Sequence, residues 1–148
     1  MIDADQSRRI RRLSELARRV IRAAEWWAHH SAMPDAQIDA HLAPHSGHLL
    51  LALVLETRSV SSVLLGEVGI DSARARAALN AHTFHAETGI NGVLDEAFAH
   101  ADRLGNHYTG TEHLLLALTT DAAAAARLST AEIDLAHLQA RVERYLTR

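Results

Sequence analysis

The sequence of 148 residues contains neither cysteine nor lysine. Without cysteine, the chain has no thiol nucleophile, no disulfide and no thiolate metal ligand, which fits a reducing compartment. Without lysine, Schiff-base chemistry is excluded, and so is the phosphate-binding loop of P-loop ATPases, because that loop requires a lysine. All fifteen basic residues are therefore arginine.

Aromatic residues make up only 4% of the chain, and there are two prolines and seven glycines. The apolar 48% is therefore mostly alanine and leucine, which favour closely packed helices. No apolar run reaches the roughly 20 residues of a membrane span, and the first residues lack the apolar core of a signal peptide. We expect a cytoplasmic protein that makes no contact with membranes.

The net charge of −3 gives the whole chain no attraction to nucleic acid or anionic membranes. Residues 8–22 are a local exception, because they carry seven arginines against Glu15 alone. The seven are Arg8, Arg9, Arg11, Arg12, Arg18, Arg19 and Arg22. Such a stretch is usually a solvated helix face, and its alternatives are a site for an acidic partner or for nucleic acid. A nucleic-acid-binding regulator is the alternative function, but the stretch lacks interleaved aromatics, so we expect no nucleic-acid partner.

Apolar periodicity and capping residues predict helices throughout and no strand. The first half is predicted to form helices over about 8–30 (capped by Ser7 or Ser14), 47–57 (capped by Ser46), from Ser59 or Ser61 to Gly66 or Gly69, and over 72–82 (capped by Asp71). Residues 30–45 read as a His/Pro-rich loop with a short helical piece near 35–42. In the second half, helices are predicted over about 91–104 (ending at Gly105), over a second leucine-rich stretch, and from Asp134 to about 146.

The two halves repeat each other. The run HLLLAL occurs at 48–53 and again at 113–118, and Ile70-Asp71 matches Ile133-Asp134. A helix that is apolar on every side must be covered on every side. We therefore predict an all-α domain of two pseudo-symmetric four-helix repeats. It divides into a basic extension 1–12, repeat 1 at 13–82 with the inserted loop about 30–45, a connector 83–90, and repeat 2 at 91–148.

GTEHLLLAL, preceded by an alanine-rich helix that ends in Arg-Leu-Gly-Asn-His, resembles the Clp N-terminal repeat of ClpA- and ClpC-type AAA+ unfoldases. The resemblance covers about 13–148 and is closer in the second repeat. It implies a module of two four-helix repeats that binds polypeptides, has no enzyme activity and needs no cofactor. Since no ATPase sequence follows, it implies a stand-alone adaptor or decoy. Its partners would be Clp unfoldase or protease components, their substrates and adaptors, or peptide-like small molecules.

The resemblance also implies a ligand site at Thr109, Gly110, Thr111 and Glu112, because the glutamate of GTEH helps to bind phosphoarginine in ClpC-type domains. A carboxylate can accept hydrogen bonds from the guanidinium while helix N-terminal amides meet the phosphate. The competing interpretation, which we favour as the main role, is a capping box in which Glu112 bonds back to an N-cap at Thr109. The two roles can coexist. Repeat 1 has Gly47 and Pro44 at the equivalent positions, so we expect one site rather than two.

The remaining candidates are histidines and tryptophans. We expect His48 and His113 to pack at helix starts, bonded to backbone carbonyls, rather than to act as ligands. A metal reading of His29, His30, His41, His45 and His48 is disfavoured because Pro44 breaks the helical spacing and no HExxH motif is present. Trp26 and Trp27 are adjacent, so one should face the core and the other the surface. The exposed one is either an anchor for a partner or covered by the inserted loop.

Overall fold

The computed structural model describes residues 11–30, 46–80, 89–121, 125 and 134–147, with the backbone alone at 30 and 77–80. The described residues form helices and no strand. The helices are α1 (Glu15–His30), α2 (Ser46–Leu55), α3 (Val60–Glu67), α4 (Ser72–Asn80), α5 (Ile90–Arg103), α6 (Thr111–Thr120) and α7 (Leu135–Leu146). The predicted all-α class is confirmed.

Short-range capping signals set most helix boundaries where they were predicted. The side chains of Ser59, Asp71 and Asp134 each accept a hydrogen bond from a backbone N–H three residues later, at 2.8–3.1 Å. Gly69 and Gly105 follow α3 and α5 with φ angles of 85° and 71°. Only glycine adopts such angles without strain, so these positions end the two helices in αL turns.

Two boundaries differ from the prediction. The first helix does not run unbroken from residue 8, because Ser14 caps it by accepting from the Ala17 N–H at 3.1 Å and Leu13 pairs with Thr109. α2 includes Ser46 and ends at Leu55, two residues early, since the Glu56 carbonyl accepts from both the backbone and the side chain of Ser59. The predicted helical piece near 35–42 lies outside the described residues. The domain divisions at 12, 82 and 90 stay predictions.

The two leucine-rich helices form the centre of the molecule. The leucines of both HLLLAL runs are at most 2% exposed. α2 packs against α1 and α4, just as α6 packs against α5 and α7, and α2 and α6 also contact each other. All seven described helices contribute to the same hydrophobic cluster. The two repeats therefore share one core and form one domain.

Removing one leucine from either central helix should destabilise the whole domain. Leu51→Ala and Leu116→Ala occupy equivalent positions and are both fully buried, so each should cost about 2–5 kcal/mol of unfolding free energy. Leu55→Ala is the control, because Leu55 is 39% exposed and should cost far less. Urea denaturation followed by circular dichroism and tryptophan fluorescence measures this. Separate transitions for the two halves would contradict the shared core.

Candidate functional site

The predicted ligand site lies at the start of α6. Thr109, Gly110 and Thr111 are buried there, whereas Glu112 is partly exposed. The Thr111 hydroxyl donates to Glu112 Oε1 at 2.8 Å. A Cβ placed on Gly110 would lie 2.8 Å from Glu112 Oε2 and 3.6 Å from Ser14 Oγ. The Glu112 carboxylate therefore lies against the glycine backbone, in space that a side chain at position 110 would take.

The predicted capping box is wrong by one residue. Gly110, not Thr109, is the N-cap of α6, and its N–H donates to His113 Nδ1 at 2.9 Å. Thr109 is held in extended backbone instead, because its N–H donates to the Arg12 carbonyl and its own carbonyl accepts from the Ser14 N–H, both at 3.0 Å. His113 thus takes the role that was predicted for Glu112. The Glu112 side chain is partly exposed beside the helix start, and the Thr111 hydroxyl donates to its carboxylate.

The bonds of His113 define its protonation state. Its Nδ1 accepts from a backbone N–H, so the proton of the neutral ring is on Nε2, which donates to Asn106 Oδ1 at 2.8 Å. Burial lowers the pKa of His113 to about 4, and the positive charges of nearby His100 and Arg12 act in the same direction. His113 is packed at a helix start, as predicted, but its backbone partner is an amide rather than a carbonyl.

This histidine should make the domain sensitive to acid. Because its pKa is about 4 when folded and about 6.5 when unfolded, the unfolded chain binds the proton more tightly. The contribution of neutral His113 to the free energy of unfolding is fully present above about pH 6.5. It is lost as the pH falls towards 4, which lowers the free energy of unfolding by on the order of 3 kcal/mol. His113→Asn keeps an acceptor near Nδ1 but cannot be protonated, so its stability should fall less over this range. Urea unfolding at pH 4.5 and 7 compares the two proteins, and equal losses would contradict this role.

A segment of repeat 1 completes the site. The N-cap of α1, Ser14, lies beside Gly110, so the N-termini of α1 and α6 meet there. The first-turn amides of a helix have no acceptor within the helix, and that end carries partial positive charge. Two such ends next to one carboxylate give positive and negative recognition groups within a few ångströms. The arrangement suits a ligand that carries both an anion and a hydrogen-bonding cation.

Arg12 fastens this segment to repeat 2. Its guanidinium donates to Asp102 Oδ1 at 2.9 Å and to the carbonyls of Asn106 and His107 at 2.8 and 3.0 Å. Ser14 caps α1, as one of the two predicted alternatives, but the sequence did not reveal its place beside Gly110 or the role of Arg12, since those partners lie 90 residues or more along the chain. The matching of the two repeats was the one signal that placed these segments near each other.

Residues 86–148 match the Clp repeat (R) N-terminal domain family. The second half of the chain is therefore similar to a Clp N-terminal repeat. Solved structures extend the likeness to the fold of both halves. The N-terminal domain of the ClpD chaperone from Arabidopsis thaliana is 23% identical, with a TM-score of 0.70 over 93% of this chain and 99% of that one. The Hsp104 N-terminal domain from Candida albicans is 15% identical, with a TM-score of 0.68 over 92% and 93%. The resemblance seen in the sequence is confirmed.

The similar curated proteins are longer than this chain, and their names state no function. Uncharacterized proteins of Mycobacterium tuberculosis and Mycobacterium bovis are 33% identical over 122 residues, which is 77% of this chain and 45% of theirs. The chain therefore spans less than half the length of the curated relatives it matches. That this chain acts without an attached ATPase stays a prediction.

The two tryptophans of the domain divide as predicted. Trp27 is partly buried against the core, and Trp26 is 51% exposed. Their rings meet edge to face with centroids 4.9 Å apart, and the guanidinium of Arg76 on α4 lies 4.9 Å from the Trp27 ring centroid. Stacking and the cation–π contact fix Trp27, and Trp26 extends outward from it.

The Thr120 hydroxyl and the His100 imidazole lie within hydrogen-bond distance between α5 and α6, but the ring proton is on the nitrogen that faces the hydroxyl, so the ring cannot act as a general base. His100 Nε2 lies 3.1 Å from Thr120 Oγ1, whose proton goes to Glu96 Oε2 at 2.7 Å. Arg103 donates to His100 Nδ1 at 3.2 Å, so the ring proton sits on Nε2 and points at the threonine. A general base would need the reverse arrangement. Burial and Arg103 lower the pKa of His100. This pair is a surface hydrogen-bond network between two helices.

Metal and membrane signals are weak in the described ranges. These residues hold no group of three or more side chains placed to bind a metal ion. Of the five histidines considered for a metal site, His29 is exposed on α1 and His48 is buried in α2, while 41 and 45 and the side chain at 30 lie outside the described set.

No single described helix is long and apolar enough to cross a bilayer. The pair α2 and α3 meets that test by length and composition only, and it bends by 98°.

Proposed function

We propose that this chain is a non-catalytic polypeptide-binding module and that the start of α6 binds phosphoarginine. One observation carries the proposal. The Glu112 carboxylate, held by the Thr111 hydroxyl, lies where the N-termini of α1 and α6 meet. The proposed site residues are Thr109, Gly110, Thr111 and Glu112, and we add Ser14 because it lies beside Gly110.

The chemistry of each group fits a different part of this ligand. A guanidinium donates to a carboxylate, and charge-assisted bonds of this kind are about twice as strong as neutral ones. A phosphate is stabilised by unpaired N–H groups at a helix start. Because His113 takes the Gly110 N–H, the carboxylate is not needed as a cap and can meet the ligand. Pure phosphate would be repelled by Glu112, and free arginine would leave the helix ends unused, so both parts of the ligand are required.

Repeat 1 does not supply a second site of this kind. The position equivalent to Glu112 is Gly47, which lacks a carboxylate and is buried within α2. We therefore propose one ligand for each chain. In this proposal both halves keep the helical fold, and only the second half carries the ligand-binding carboxylate.

The likeness to Clp N-terminal domains supports a role beside a Clp unfoldase. The module would bind substrates, adaptors or Clp components, either to present cargo to the protease or to withhold ligands from it. In a degradation assay with graded amounts of the protein, an adaptor accelerates proteolysis and a decoy inhibits it. We further propose Trp26, with Trp27 behind it, as part of the partner-binding surface, since large aromatics with a fixed neighbour make good anchors.

The ligand proposal is tested by isothermal titration with free phosphoarginine. We expect a stoichiometry of one and a loss of about tenfold or more in affinity for Glu112→Gln, because one charge-assisted bond contributes about 1.5–3 kcal/mol. Glu25→Gln, an exposed glutamate on α1, is the matched control and should bind like the wild type. Inorganic phosphate and arginine, titrated separately, should bind far more weakly.

Three outcomes would contradict the proposal. These are no binding by the wild type, two equivalent sites, or an affinity that Glu112→Gln leaves unchanged. Circular dichroism of each variant checks that the helical content is intact.

A further inference from the structure

An open groove lies on the surface of repeat 1, between the end of α2, one side of α3 and the start of α4. Its volume is about 460 Å³, within the range of roughly 300–1,000 Å³ that is typical of ligand sites. None of its lining residues belongs to the proposed phosphoarginine site. The groove is therefore a separate feature of the molecule, and the proposed function does not use it.

Two glycines, at positions 66 and 69, keep this groove open. Gly69 has a φ angle of 85°, which is strained for any other residue. Gly66 has no such constraint, because it lies within α3 and a Cβ placed on it would meet no described atom within 4 Å. Glycine within a helix is destabilising relative to alanine. The missing side chain at Gly66 thus weakens α3 and leaves free space over the groove.

The lining of the groove is largely apolar. Val54 and Ile70 are buried and Leu55 is exposed, and all three line it. Val63, which is more than half exposed, lies next to Gly66 on the surface of α3, because the two are three residues apart. Apolar surface is therefore in contact with water at the groove and beside it, and an aliphatic group bound there would cover that surface.

A guanidinium lies at the edge of the groove. Arg74 Nη1 is 3.5 Å from the position that a Cβ on Gly69 would take, and the arginine is exposed. Within the described part of the chain this guanidinium makes no ion pair, whereas Arg76 on the same helix is held over the Trp27 ring. Arg74 is therefore available to an anion that enters the groove.

Asp71 limits which anions the groove accepts. Its carboxylate caps α4 by accepting from the Arg74 N–H at 2.8 Å, and the residue also lines the groove. A negative charge so close to the guanidinium opposes a phosphate or a row of anions more strongly than it opposes one carboxylate. The charges and the apolar lining together suit a single carboxylate that is attached to an aliphatic group.

We propose that this groove binds the C-terminus of a polypeptide that ends in an aliphatic residue. The terminal carboxylate pairs with Arg74, and the last side chain lies over Gly66 against the apolar lining. A C-terminal residue carries both groups on one Cα. In an extended chain, neighbouring acidic and aliphatic residues point to opposite faces, so the two groups would not enter the groove together. The module would then have a polypeptide site that does not depend on phosphoarginine.

The test is fluorescence anisotropy with the intact protein and three peptides labelled at the N-terminus. The first is a glycine–serine peptide that ends in leucine with a free carboxylate. The second is its C-terminal amide, and the third ends in serine with a free carboxylate. We expect the first to bind about threefold to fivefold more tightly than the amide, as one exposed ion pair suggests. The serine peptide should bind more weakly than the first, because it leaves the apolar lining uncovered.

Variants locate the binding in the groove. Gly66→Leu fills the free space and should abolish binding, and its stability towards urea should be equal or higher, because leucine is the better helix former. Gly66→Ala is the matched control, since it also improves the helix but adds one methyl group, and it should keep most of the affinity. Arg74→Gln should remove the preference for the acid over the amide, whereas Arg144→Gln, at an exposed arginine on α7, should preserve it.

Several results would overturn the groove proposal. These are equal binding of the acid and the amide, equal binding of the leucine and serine peptides, or an acid preference that survives Arg74→Gln. Binding that a folded Gly66→Leu variant leaves unchanged, or that N-acetyl-leucine matches in affinity, would also overturn it. Loss of leucine-peptide binding in Glu112→Gln would place that peptide at the start of α6. Failure of phosphoarginine to bind would instead overturn the proposed function and leave the groove standing.

Discussion

The structure depends on covering two helices that are apolar on every side. α2 and α6 are too hydrophobic to leave any face in water, and neither repeat surrounds its own central helix alone. Each is covered by helices of its own repeat and by the other central helix, so the two repeats form one core. The meeting of α1 with the start of α6 follows from this packing. The proposed ligand site at residues 14 and 109–112 depends on the core that the two halves share.

At that junction, a buried histidine makes the helix-capping hydrogen bond in place of the neighbouring glutamate. In an ordinary capping box the glutamate would bond to the N-cap amide and be unavailable to a ligand. Here His113 accepts that bond as a neutral ring fixed by Asn106, and Glu112 lies one residue away with a partly exposed side chain. Burial in this position lowers the pKa of His113, so protonation of its ring destabilises the fold. Repeat 1 keeps a buried histidine at position 48, without a carboxylate in front of it.

The helix ends and buried positions that depend on local interactions could be predicted from the sequence. Asp71, Asp134 and Gly105 set their helix ends through bonds within a few residues, as predicted, and Ser59 is the cap that the structure selects from the two predicted for its helix. The buried leucines also followed from the pattern, as a helix without a polar face has to be internal.

What the sequence did not predict depends on contacts between distant segments. The cap of α6 was misplaced by one residue, because Thr109 pairs with Leu13 and is drawn out of the helix. Arg12 looked like one of seven solvated arginines, yet it holds Asp102 and two carbonyls of repeat 2. Which tryptophan faces outward depended on Arg76, which reaches Trp27 from another helix.

The most direct measurement is a titration of the ¹⁵N-labelled protein with phosphoarginine, followed by NMR amide shifts. We expect the largest changes together in two separate segments, at Ser14–Ala17 and at Gly110–His113, because both helix starts form the site. The amides of Gly47 and His48 should stay unchanged. Shifts confined to one segment, or centred on repeat 1, would contradict a single site built at the junction of the two halves.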